Sequence, residues 1–147
     1  MSPSRSAAVG ALLLGATFVT GCASESHAAD VETQTIRLII PDGNLRPLGT
    51  SCAGAGPYRF AHQEAPFAIE DGNGNEVARG VLPAGTSEKI MDVDFGAVKR
   101  QPTMCVMLLK VDAVRKPDEY LMVIDGRAAL PIKKSDNVGI AGEVVVS

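Results

Sequence analysis

Asp92 and Asp94 stand two residues apart, a spacing that on a β-strand puts both carboxylates on one face about 7 Å from each other. A retaining glycosidase holds its two acids about 5 Å apart, so this pair reads as a solvated outer face rather than as acid–base machinery or ligands for a divalent ion. Met91, Met104, Met107 and Met122, with His62, are donors that suit a soft metal such as Cu(I). Met104 and Met107 differ by three, so on a strand they point to opposite faces, and core packing accounts for them better. Asp71-Gly72-Asn73-Gly74-Asn75 starts like a calcium loop, but Glu76 replaces the glycine required at its sixth position and Leu82 the acid required at its twelfth. Ser51 has no G-x-S-x-G elbow around it, and Gly54-Ala55-Gly56 lacks the further glycine and the helix of a phosphate loop. These residues give no catalytic constellation. The expectation is a protein that is not an enzyme, with no catalytic residue, no metal site and no cofactor.

The three cysteines carry more information. Residues 1–21 open with a lone base, Arg5, continue through an apolar run from Ala7 to Phe18 and end in Val19-Thr20-Gly21 before Cys22. A basic start, an apolar stretch of about a dozen residues and small residues at a cut make an export signal. The run falls short of the ~20 residues that span a bilayer, which argues against a transmembrane anchor. Plain secretion with an incidental cysteine is the remaining alternative, but Cys22 lies at the cut itself. Val19-Thr20-Gly21-Cys22 resembles the lipobox of bacterial lipoproteins. The resemblance implies a diacylglyceryl group on the Cys22 thiol and cleavage just before it, with the new N-terminus kept in the membrane. One acyl chain holds weakly and two hold stably, at about 0.8 kcal/mol per buried methylene. The resulting expectation is a protein lipid-anchored to the cell membrane on its extracytoplasmic side, its first partner being the bilayer.

Export leaves Cys52 and Cys105 outside the cytosol, where a disulfide is favoured over two buried free thiols. The bridge would close a loop of about fifty residues, which the chain-entropy account values at about 4 kcal/mol.

Composition narrows the partners. The full chain carries a formal charge of -3. Losing residues 1–21 removes Arg5 and no acid, which leaves thirteen bases against seventeen acids, a charge of -4. An acidic domain of this kind is not built to bind nucleic acid. Three basic pairs, Lys99-Arg100, Arg115-Lys116 and Lys133-Lys134, are the only concentrations of positive charge that could meet anionic lipid or cell-wall polymer, and scattered solvated charge is the simpler account. Aromatics make up 4% and tryptophan is absent, so the core must be aliphatic.

The elements that must position these residues are strands. Residues 22–32 are small and polar and read as a lipidated flexible spacer, His27 included. From residue 33 to 147 the pattern is that of one domain. Thr33 to Ile40 alternates β-branched residues and stops at Pro41-Asp42-Gly43-Asn44. Phe67 to Glu70 and Asn75 to Leu82 flank Asp71-Gly72-Asn73-Gly74, the clearest hairpin signal. After a turn at Pro83-Ala84-Gly85, a strand is expected with Met91, Val93 and Phe95 on one face and Asp92 and Asp94 on the other. Thr103 to Val111 is apolar on both faces, which suits the middle of a sheet. Tyr120 to Ile124 and Arg127 to Ile132 form a second hairpin across Asp125-Gly126, and a last strand runs from about Gly139 to Val146. No long helical period occurs. Short strands with punctuating turns predict an all-β sandwich of two sheets and about seven or eight strands.

Several pieces also resemble a domain of uncharacterised exported lipoproteins, notably of actinobacteria. They are Cys52-Ala53-Gly54-Ala55-Gly56-Pro57-Tyr58, Ile69-Glu70-Asp71-Gly72-Asn73-Gly74, Gly80-Val81-Leu82, Cys105-Val106-Met107-Leu108, and Tyr120-Leu121-Met122-Val123 before Asp125-Gly126-Arg127. That resemblance implies an immunoglobulin-like or transthyretin-like sandwich and brings no known activity. The function expected is therefore a membrane-tethered envelope lipoprotein, a non-enzymatic module that binds or scaffolds an envelope protein or polymer. The alternative is an envelope copper-binding or carrier protein that uses the methionines and His62.

Overall fold

The computed structural model describes residues 32–112 and 114–147. The expected signal peptide, Cys22 and all of the expected spacer except Glu32 lie outside the described residues.

The first strand, β1 (Gln34–Ile40), alternates as its β-branched sequence dictates: Ile36, Leu38 and Ile40 are fully buried, while Arg37 and Ile39 face outward. A short β2 (Leu45–Arg46) and β3 (Ser51–Cys52) follow, then one 3-10 turn at Gly56–Tyr58 with Pro57 in its first turn. β4 (Pro66–Asp71) and β5 (Glu76–Val81) form the hairpin expected from Asp71-Gly72-Asn73-Gly74. The Asp71 carboxylate closes its turn by accepting the backbone N–H groups of Asn73 at 2.8 Å and Asn75 at 2.9 Å, and Gly74 takes the positive φ the turn needs. β6 (Gly85–Lys89) leads into the long β7 (Gln101–Val111). After a 3-10 turn at Pro117–Glu119 come β8 (Tyr120–Ile124), β9 (Leu130–Pro131), β10 (Lys133–Lys134) and β11 (Gly142–Val145).

These strands build an all-β sandwich of the immunoglobulin-like kind. One sheet has seven strands, in the order β10-β11-β1-β7-β6-β3 with β2 also on β7, and the other has four, in the order β5-β4-β8-β9. Strands β1, β4, β5, β6, β7, β8 and β11 are the ones of four residues or more among the described residues. β7 is central, as its two apolar faces require: Cys105, Met107, Leu109 and Val111 point into the core while Val106 and Leu108 lie on the other face. The core is aliphatic. Ile36, Leu38, Met107, Leu109 and Val144 of the larger sheet oppose Ile69, Met122 and Ile124 of the smaller. Each such side chain, fully buried, contributes about 1.5–3 kcal/mol relative to exposure.

Two expectations are corrected. Met91 to Phe95 is not a strand; it is an exposed connection, and the strand before β7 is the polar Gly85–Lys89. The reason is local, because the near half of β7 is already paired on both sides. β6 occupies Thr103 to Val106 on one side of β7, while β1 and β2 occupy the other, so residues 91–95 have no partner and their alternation counts for nothing. Asp94 instead accepts the Gly96 N–H at 2.8 Å in a local turn. The second hairpin is also shorter than expected: only Leu130–Pro131 pairs back onto β8, and Arg127 to Ala129 form its connecting loop.

Candidate functional site

The sequence-nominated residues are dispersed by this fold. Cys52 and Cys105 are joined, their Cα atoms 5.8 Å apart, so neither sulfur is a free nucleophile. Ser51 beside them is exposed. Asp92 and Asp94 lie in the exposed 90–100 connection, and the nearest cation to Asp92 is Lys89 at 3.8 Å. Met107 and Met122 are buried in the core, Met104 sits on the opposite face of β7 from Met107, and Met91 is exposed. His62 lies on an exposed turn with its Nδ1 2.7 Å from the Gln63 carbonyl. No group of three or more His, Cys, Asp or Glu side chains suited to a metal comes together among the described residues. Lys99-Arg100, before β7, is separated from Arg115-Lys116, after it, by roughly 30 Å along an eleven-residue strand. Lys133-Lys134, by contrast, lies against the Pro117–Glu119 turn that follows Arg115-Lys116, with the Lys134 N–H donating to the Asp118 carboxylate at 2.5 Å.

The most deeply buried charge cluster among the described residues is structural. Arg46 sends its guanidinium to the Asp42 carboxylate at 2.6 and 2.9 Å, to the Thr103 hydroxyl at 3.2 Å and to the Ala53 carbonyl at 3.1 Å. Burial alone would raise the Asp42 pKa, but the Arg46 guanidinium and the N–H groups of Asn44 and Ala55 hold the carboxyl below its ordinary value. The cluster ties the turn after β1, β2 and the residues just after β3 to Thr103 near the start of β7.

What remains open is an apolar surface on the four-stranded sheet. Residues of β4, β5 and β8 that point away from the core, among them Pro66, Ala68, Val81 and Val123, line an open groove of about 480 Å³. Val81 is 60% exposed, and Arg79 and Glu76 form an ion pair at 2.5 Å at its rim. Gly80 belongs here because a β-carbon at that position would lie 2.9 Å from the Phe67 ring, which packs beneath it. A second, smaller cleft of about 270 Å³ reaches the same strand from the core side, between Val81, Phe67, Pro83 and Leu108. No match was found among known protein families, curated proteins or solved structures. The functional reading therefore rests on the chain's own residues.

An apolar concavity of this kind, with the Arg79–Glu76 pair at its rim, can hold a side chain or a peptide. Sequence reading missed this surface. Its residues are scattered along three strands. Several belong to stretches the sequence reading picks out, among them Gly80-Val81-Leu82 and Tyr120-Leu121-Met122-Val123, but nothing in the sequence joins them into one surface. The signal that could have found them is Val81, a β-branched residue on the solvent-facing parity of an otherwise charged strand.

Proposed function

We propose that this chain is a bacterial envelope lipoprotein, cut before Cys22 and acylated on that cysteine, whose β-sandwich acts without catalysis as a binding or scaffolding module on the extracytoplasmic side of the membrane. The observation that carries the tether is Val19-Thr20-Gly21-Cys22 at the end of the apolar run from Ala7 to Phe18. The Cys52–Cys105 disulfide supports export, because such bonds persist in oxidising compartments. The open groove beside Val81 supports binding. The resemblance to actinobacterial exported lipoproteins agrees with this reading and adds no activity.

Two experiments test the two halves. Cys22→Ser is expected to move the protein from the membrane to the soluble fraction, with loss of the acyl mass from the N-terminal peptide; identical partition of variant and wild type overturns the tether. Cross-linking in intact cells followed by mass spectrometry is expected to recover a recurring envelope partner. Recovery of the uncross-linked chain alone overturns the binding role.

A further inference from the structure

Among the described residues β5 is an edge strand whose outward backbone groups have no partner, and the two concavities described above abut it from its two faces. The direction of its hydrogen bonds follows from Leu82, just beyond its end. The Leu82 N–H donates to the Ala65 carbonyl and its carbonyl accepts from the Glu64 N–H, both at 2.8 Å, so Leu82 bonds toward β4. Alternate residues of an antiparallel strand bond to alternate sides. Gly80 and Ala78 therefore also bond toward β4, and Arg79 and Val81 turn their N–H and C=O groups away from the sheet.

A second unpaired edge lies across the smaller cleft. The Thr35 and Ile39 carbonyls accept from Ala141 and Val146, so the odd residues of β1 bond toward the β11 side and the even ones toward β7. Leu109 and Val111 accordingly bond to β1, and Leu108 and Lys110 face the other way. On that side β6 is too short to reach them, since its pairing ends at Val106. Leu108 is 52% exposed. Natural proteins usually blunt such edges with charge, proline or a covering loop. Here Val81 and Leu108 are left bare beside a strand that carries a glycine.

We propose that the β5 edge receives an extended segment of a partner polypeptide as an added strand. Alternate side chains of that segment would enter the outer groove beside Val81 and the cleft beside Leu108 in turn, because a strand projects its residues to opposite faces with a period of two. The partner's chemistry follows from what borders the site. Small apolar residues suit the two concavities, and an acidic residue suits the cations at their rims. Arg79, its side chain 80% exposed, gives one edge of its guanidinium to Glu76 and keeps the rest toward solvent, and Lys110 bonds a neutral hydroxyl, that of Thr35, at 2.7 Å. The charged side chains bordering the two concavities therefore carry net positive charge. A second copy of this chain is a poorer occupant. Paired through β5, it would turn Ala78, Gly80 and Leu82 toward the cleft, and Leu82 is already buried in its own core. It would also bring a second Arg79 onto the same face, where like charges repel.

This inference deepens the binding role proposed above and rests on it; the lipid tether takes no part in it. The test uses the purified ¹⁵N-labelled full chain and, as probe, a synthetic nine-residue peptide of alternating valine and threonine with one central aspartate. The Arg79 and Val81 amides are expected to exchange with solvent at least ~10-fold more slowly at saturating peptide, with resonance shifts centred on β5, Leu108 and Lys110. Arg79→Glu, at an exposed position, gives up the surface ion pair with Glu76 and is expected to lower the thermal midpoint by no more than a few degrees while weakening peptide binding about tenfold. Val81→Pro removes an outward N–H that β4 does not use and is expected to weaken binding as well. Absence of shifts up to about 1 mM peptide, or shifts centred on another face, overturns the proposal. So does protection of the Arg79 and Val81 amides that grows with protein concentration alone, which assigns the edge to a second copy. If cross-linking in cells recovers a partner attached elsewhere, this edge falls and the binding role stands; if it recovers no partner, the binding role itself falls.

Discussion

Gly85 lies so close to the Cys105 sulfur that a β-carbon on it would overlap that atom. β6 runs between β3 and β7, with Gly85 opposite Cys52 and Ser87 opposite Cys105, and the disulfide passes over the bare backbone of the glycine. The same added β-carbon would also crowd the Cys52 carbonyl at 2.8 Å and the Cys52 sulfur at 3.1 Å. This glycine is therefore a condition of the covalent staple, and its backbone adopts an ordinary strand conformation.

Gly85→Ala is the sharpest test of that relationship. It is expected to cost about 2–4 kcal/mol, the range for overpacking a tight site or losing a disulfide of this loop length. Denaturant unfolding measures the loss, and thiol titration of the folded protein shows whether a fraction of molecules carries two free cysteines. An unchanged midpoint with no titratable thiol would contradict the geometry.

The Asp42–Arg46 pair predicts a dependence on pH. The Asp42 side chain is 1% exposed and that of Arg46 12%. Asp42→Asn leaves a buried guanidinium without its counter-charge and is expected to cost about 3 kcal/mol. The Asp42 pKa is held below the ordinary value of 3.8, so the stability it contributes is fully present above that pH and is lost as pH falls through the lower, folded-state value. Unfolding free energy measured between neutral pH and strong acid should fall less steeply below pH 3.8 in Asp42→Asn than in the wild type. Asp71 is shifted in the same direction, chiefly by the Asn75 side-chain and backbone donors and further by Asn73, but it is exposed, and a slope from it should persist in the variant. Equal slopes in the two proteins would remove Asp42 from the acid limb.

Glu64 holds a left-handed backbone, with φ of 70°, in the turn before β4. Its N–H is committed to the Leu82 carbonyl at 2.8 Å, so the turn cannot relax without giving up that bond. A non-glycine residue there costs about 1–2 kcal/mol, against an entropic cost of about 0.5–1 kcal/mol for placing glycine. Glu64→Gly is expected to stabilise the domain by about 1 kcal/mol, read as a rise in the thermal midpoint. A fall would show that the Glu64 side chain does something its exposed position does not suggest.

Much of the fold was legible because local rules and burial coincided. Ile36, Leu38 and Ile40 announced β1 and its buried face, and Asp71-Gly72-Asn73-Gly74 announced the hairpin between β4 and β5. The apolar faces of Thr103 to Val111 announced a central strand. The errors fell where strand identity depends on a partner. Met91, Val93 and Phe95 alternate well and pair with nothing. Thr86-Ser87-Glu88-Lys89 has no apolar pattern, yet it forms β6 because β7 lies beside it and because the Ser87 hydroxyl finds the Pro47 carbonyl at 2.7 Å. The groove and the open strand edges were not legible at all, since they consist of residues that become neighbours only when β4, β5, β7 and β8 are assembled.

By itself, the order of amino acids determined the all-β class, the aliphatic core and the two main turns, and it favoured a bond between Cys52 and Cys105 over two free thiols, the bond the structure shows. These depend on a period of two, on turn chemistry and on a count of cysteines, all of which are local or arithmetic. Only the tertiary structure decided that β11 runs parallel to β1, that the disulfide passes over Gly85, and that among the described residues β5 and the far half of β7 keep their outer edges open. Those facts follow from which backbone donors and acceptors remain after every other strand has taken its partner, a global assignment that no single stretch of sequence encodes.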